Sequence, residues 1–154
     1  MIDSLFRFAY RCAYQLMRVY WTVRRPHTHG SLVAMWFNGQ ILLVKNSYVR
    51  YFSLPGGYVK RGESGIDAAI RELLEEIGLT AAPSDLRLSL DESHVWEGKQ
   101  ERLEIYELDL VNEPRIKVDN REVVAAGFYA PTEALKLLLF PPLRRHIEQK
   151  MRAR

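Results

Sequence analysis

GYVKRGESGIDAAIRELLEEIGL, residues 57–79, joins a glycine loop to a segment with helical periodicity. At 100° per residue, Ile66, Ala69, Ile70, Leu73 and Ile77 fall on one stripe, while Glu72, Glu75 and Glu76 gather on the other side. Gly78 stands where a helix C-cap belongs. Like charges at i, i+3 and i+4 each cost a helix roughly 0.2–0.5 kcal/mol, so the acidic face needs an offsetting partner or full solvation. A hard divalent cation, Mg²⁺ or Mn²⁺, is the natural partner for carboxylate oxygens. A solvated acidic face is the plainer alternative for an ExxEE taken alone. The preceding Gly56-Gly57 tips the balance, because there the backbone can approach a ligand or metal with no side chain in the way.

Read as a pattern, Gly57, Glu63, Arg71, Glu72, Glu75, Glu76, Gly78 and Leu79 fill every fixed position of the signature of the Nudix hydrolases, which this stretch resembles without a departure. The resemblance extends over about residues 30–140. It implies an α/β/α sandwich with a mixed sheet and divides the chain into residues 1–29, an N-terminal helix and linker, and residues 30–154, the hydrolase domain. It also assigns Glu72, Glu75 and Glu76 to Mg²⁺ or Mn²⁺, with the Gly57 carbonyl as a further ligand. One of these glutamates, or a loop glutamate, would deprotonate the attacking water. Arg71 is an orienter of carboxylates, with Glu63 as its expected partner. Family members recruit another acid from the loop before the last strand; Glu122 is the first choice here and Asp119 the second.

The whole chain bounds the setting. Its 154 residues suit one folded domain, with 47% hydrophobic and 27% charged residues. A single cysteine, Cys12, excludes an internal disulfide and fits a reducing, cytoplasmic setting. The net charge is +3, but it is unevenly placed: residues 1–30 and 141–154 each carry +4, and residues 31–140 carry −5. An acidic middle between basic ends argues against a continuous nucleic-acid groove.

Residues 2–25 read as one amphipathic helix ended by Pro26, with Arg7, Arg11, Arg18 and Arg25 on a narrow stripe. The remaining wide arc carries Leu5, Phe8, Leu16, Val19 and Val23 among others. Three environments suit that arc: the domain itself or a second subunit in a homodimer, an anionic membrane surface, or a partner's groove. Arginines interrupt every apolar run, so no bilayer span is expected, nor is a signal peptide.

Strands are expected at 31–37, 40–45, 86–95, 102–111 and 123–129, with Asn38-Gly39 turning the first hairpin. A charged loop would join residues 96–101, and helices follow at 131–139 and, after Pro141-Pro142, in a short basic tail. The loop 46–52 borders the substrate cleft in Nudix proteins, which makes Tyr48, Arg50 and Tyr51 candidate substrate contacts. Trp96 could stack on a base, or serve only the core. The expected reaction is hydrolysis of a phosphoanhydride in a nucleoside diphosphate linked to another moiety. A non-catalytic sensing or scaffolding module, possible where a signature acid is lost, is the alternative from another class. Membrane-peripheral action on a lipid-linked or nucleotide-activated precursor is a third.

Overall fold

A computed structural model describes residues 2–153. Its elements are α1 (Ile2–Arg24), β1 (His27–Phe37), β2 (Gln40–Asn46), β3 (Gly56–Tyr58), α2 (Gly65–Ile77), β4 (Arg87–Trp96), β5 (Lys99–Asp109), β6 (Val123–Tyr129), α3 (Pro131–Ala134) and α4 (Pro141–Arg152). The six strands form one mixed sheet in the order β4-β5-β1-β2-β6, with β3 paired to β1. Only the central β1–β5 pair is parallel.

Helices cover both faces, and the central strands carry the mark of it. Leu32, Ala34 and Trp36 of β1 pack with Leu143 and Ile147 of α4, whereas the alternate residues Val33 and Met35 pack with Ala69, Leu73 and Ile77 of α2. A strand buried on both sides is apolar at consecutive positions, which is why Leu32–Trp36 reads as a run rather than an alternation. The mixed α/β sandwich expected from the sequence is the architecture observed.

Several boundaries differ from the sequence reading. β1 begins at His27, inside the stretch read as linker, because His27–Gly30 pairs in parallel with Gln100–Leu103. Polar residues carry no strand pattern, and a neighbouring backbone recruits them. The expected loop 96–101 is a two-residue turn: Glu97 and Gly98 both take positive φ, 50° and 85°, and β5 restarts at Lys99. The helix expected over 131–139 is a single turn. Its continuation is drawn into β-bridging with Phe52, whose N–H donates to the Leu138 carbonyl and whose carbonyl accepts from the Phe140 N–H. Pro141 and Pro142 do not break the chain ahead of the tail helix; they open α4, where a missing N–H and a fixed φ are no cost.

Of the environments open to α1, the domain takes its aromatic side. The domain receives Tyr10, Tyr14 and Trp21, while Leu5, Phe8, Leu16, Val19 and Val23 of the apolar arc stay exposed. Among the described residues, no helix is long and apolar enough to cross a membrane.

Leu73 is fully buried between α2 and the sheet. Leu73→Ala is expected to lower unfolding stability by about 2–5 kcal/mol, read from urea denaturation, with no change in the slope of the transition.

Candidate active site

The glycine loop and α2 are locked together before any side-chain chemistry begins. Ser64 caps α2, its hydroxyl accepting from the Asp67 N–H at 3.2 Å, and Gly78 closes it with φ 70° and its N–H on the Leu74 carbonyl. At the other end of the motif, Gly56 has φ 141°, and a Cβ there would stand 2.2 Å from the Ser31 carbonyl oxygen. A Cβ on Gly57 would stand 2.5 Å from a Glu72 carboxylate oxygen. Bare backbone is therefore what lets the loop lie against the acidic face of α2.

Arg71 is the hub of that face. It holds Glu63 bidentately through Nε and Nη2 at 2.8 and 3.0 Å, and it donates to Glu72 at 2.6 Å, to Glu75 at 3.3 Å and to the Tyr58 carbonyl at 3.0 Å. The expected Arg71–Glu63 pairing is thus present. The guanidinium, together with the Lys60 N–H, pulls the Glu63 carboxyl down to about 2.

Glu76 is in the opposite condition. Only 6% exposed, it accepts the Gly56 N–H at 2.8 Å. Burial pushes its carboxyl up to about 8; the Gly56 N–H works against that, and the charges of Glu72 and Glu122 add to it. Glu122 is raised by its own burial and then by Glu72, Asp119 and Glu75, with the hydrogen bond from Tyr48 opposing. The four signature and loop glutamates thus share one electrostatic neighbourhood, although Glu122 is 46 residues from Glu76 in the chain.

Among the described residues, no three acidic, histidine or cysteine groups stand together as a ready-made metal cage. In this arrangement Arg71 donates to both Glu72 and Glu75. The donor set nonetheless fits a hard divalent cation: oxygen donors throughout, like charges facing one another, and the side-chain-free Gly57 against Glu72.

Each loop candidate has a distinct place. Glu122 accepts from the Tyr48 hydroxyl at 3.0 Å, and that hydroxyl accepts from Asn46 at 3.1 Å, so Tyr48 positions the loop glutamate as well as lining the cleft. Asp119 accepts the backbone N–H groups of Arg121, Glu122 and Val123 and so braces the loop from within. Tyr51 lies in the wall of the cleft, stacked on Phe140 with ring centroids 5.7 Å apart, and Trp96 meets both rings edge-on. Arg50 is exposed and is not part of that wall.

The cleft itself is a cavity of about 320 Å³, running from Gly56, Gly57 and Glu122 to an aromatic chamber. Sequence reasoning missed much of its lining: Tyr10, Tyr14 and Trp21 from α1, and Lys99 and Glu101 from β5. Lys99 is almost fully buried. It donates to Glu101 at 2.9 Å and to the Tyr58 hydroxyl at 2.6 Å, and it sits over the Trp21 ring at 4.6 Å. No local pattern marks these residues; a strand start and a distant helix meet there only after folding.

Comparison with known proteins agrees with this geometry. The NUDIX domain family model matches residues 27–150. A Bacillus subtilis (strain 168) protein provisionally named an 8-oxo-dGTP diphosphatase is 49% identical over 59 residues, 38% of this chain and 40% of that protein. A second B. subtilis protein, provisionally named an ADP-ribose pyrophosphatase, is 38% identical over 58 residues, 38% of this chain and 28% of its own length. The chain thus spans well under half the length of these curated relatives. Among solved structures, the MutT NUDIX hydrolase from Burkholderia pseudomallei superposes with a TM-score of 0.67 at 25% identity, covering 80% of this chain and 97% of that one.

The Arg71–Glu63 pair has a signature in acid. A carboxyl held at about 2 when folded and at 4.5 as its ordinary value contributes stability above pH 4.5, lost as pH falls toward 2. Denaturation midpoints measured from pH 6 to pH 2.5 are therefore expected to fall more steeply for the parent than for Glu63→Gln. Parallel curves would show that the pair does not persist in solution.

Proposed function

This chain belongs to the Nudix hydrolase family, and on that premise we propose that it is a divalent-cation-dependent pyrophosphohydrolase of nucleotides, cleaving a nucleoside diphosphate linked to another moiety. The observation that carries the reading is the complete set of signature glutamates, crowded with Glu122 at the phosphate end of a cleft whose far end is aromatic. A sensing module has no need to keep four mutually repelling acids in one place. Here Arg71 offsets part of their repulsion, and a cation that handles a polyphosphate would offset the rest.

Within the class, the cavity favours a substrate with one nucleoside. About 320 Å³ lies at the small end of ligand sites and accommodates one base and sugar, with phosphates directed at α2. Nucleoside triphosphates, including an oxidised dGTP such as the first relative's name specifies, and ADP-ribose, named for the second, share that form. From a triphosphate the products are a nucleoside monophosphate and pyrophosphate.

Glu72, Glu75, Glu76 and Glu122, with the Gly57 carbonyl, would hold Mg²⁺ or Mn²⁺, which when bound neutralises phosphoryl charge and acidifies water. The chain's own groups do the rest. Arg71 fixes Glu72 and Glu75 by hydrogen bonds and anchors the glycine loop through the Tyr58 carbonyl. Glu76 accepts the Gly56 N–H and so ties the buried side of the acidic helix to the glycine loop. Tyr48 holds Glu122 in place across from α2. The aromatic chamber excludes water from the nucleoside end and orients the chain of phosphates.

A screen of nucleoside triphosphates, 8-oxo-dGTP, ADP-ribose and nucleotide sugars, scored by products with Mg²⁺, Mn²⁺ or chelator, tests the reading. Turnover is expected to vanish with chelator and to fall about 10²-fold or more in Glu72→Gln and Glu76→Gln, with melting temperatures at or above the parent's. Full turnover in either folded variant would refute it.

A further inference from the structure

Burial alone predicts the wrong side of α1. A helix that merely packs on a domain turns its aliphatic arc inward, yet Leu5, Leu16, Val19 and Val23 are each 65% exposed or more. The inward side carries Tyr10, Ala13, Tyr14, Met17 and Trp21, and what these residues face is the open cavity that leads to Gly57 and Glu122.

The helix is seated there firmly. At one end, a Cβ on Gly98 would stand 2.9 Å from the Thr22 Cα, so the tip of the β4–β5 hairpin touches the helix backbone itself. The same tip supplies Glu97, which accepts from the Tyr14 hydroxyl at 2.6 Å and pairs with Arg18 at 3.4 Å. At the other end, Arg11 donates to the Ser47 carbonyl at 3.0 Å and Arg7 to the Asn120 carbonyl at 2.8 Å. The helix therefore bridges the cavity from the hairpin tip to the two loops that flank Tyr48 and Glu122.

We propose that α1 is part of the substrate site: its inner face forms one wall of the chamber that receives the nucleobase, so selectivity among bases is set partly by residues that precede the matched domain. The proposal rests on the nucleotide pyrophosphohydrolase reading above. Two kinds of observation carry it. The walls suit a flat heteroaromatic ring, with Tyr14 and Trp21 on the α1 side and Tyr51, Trp96 and Phe140 on the domain side of the same cavity. Polar groups stand among them, with Glu97, Lys99 and the Tyr58 hydroxyl lining the same cavity, which suits the mixed edge of a base rather than a lipid chain.

Ala13 is the sharpest place to test this, because it lines the cavity from an exposed helix position and accepts a larger side chain without disturbing the core. In the full chain, Ala13→Phe and Tyr14→Ala are compared with Leu16→Gln on the outer face. Steady-state kinetics use dGTP, dATP, dCTP, dTTP and 8-oxo-dGTP, and calorimetry measures binding of the corresponding monophosphates. Ala13→Phe and Tyr14→Ala are expected to raise KM and weaken monophosphate binding by about tenfold or more, to reorder the bases, and to leave kcat within about threefold. Leu16→Gln is expected to match the parent in every reading. Unchanged KM, base order and monophosphate affinity in both inner-face variants would overturn the proposal while leaving the hydrolase reading intact. A parent that binds monophosphates through this wall but hydrolyses nothing would overturn the hydrolase reading and uphold the wall.

Discussion

Like charges crowded into a small volume are the constraint around which this molecule is built. The charges of Glu72 and Glu122 oppose the ionisation of Glu76, those of Glu72 and Glu75 oppose that of Glu122, and the fold spends specific groups on keeping these acids there. Arg71 divides its guanidinium among Glu63, Glu72 and Glu75 and still reaches the Tyr58 carbonyl. The Gly56 N–H goes to Glu76 and the Tyr48 hydroxyl to Glu122. Side-chain-free glycines bring the loop within reach, and caps at both ends of α2 set the phase at which its acids leave the helix. The result is a cluster of acids under electrostatic strain, the condition in which a bound cation has most to gain.

The segregation of charge along the chain has a structural counterpart. The basic N-terminal segment is fastened to the acidic middle: Arg7 and Arg11 meet loop carbonyls, and Arg18 meets Glu97. The basic C-terminal helix does the same elsewhere on the domain, where Lys150 donates to buried Glu107 at 2.7 Å and Arg145 pairs with Glu92. A pI near 9.1 in this chain therefore reflects, in good part, how its two terminal helices dock. The buried members of these pairs have lost their water, and removing one partner would leave the other charged and unsolvated.

Residues 57–79 could be read with confidence because everything they need is local. A helix of known phase fixes which side chains share a face, a glycine marks its end, and the acids at i, i+3 and i+4 state their own electrostatic problem. The hairpin at Asn38-Gly39 and the strand at 31–37 were legible on the same terms, as were the strands at 40–45 and 123–129. Glu122 was reached through resemblance to a family rather than through any local rule, since nothing in its own neighbourhood points at α2.

What the sequence by itself determined, then, is the acidic helix, the loop that must lie against it and a two-sided sheet to carry them, all consequences of short-range periodicity and backbone sterics. Tertiary structure alone brought α1 and the start of β5 to the cavity. His27–Gly30 becomes strand because β5 offers it hydrogen bonds, Lys99 enters the cleft because Glu97-Gly98 makes a tight turn, and α1 presents its aromatic side inward because its arginines find carbonyls and Glu97 there. Each of these depends on a partner far away in the chain, and a pattern confined to neighbouring residues holds no record of it.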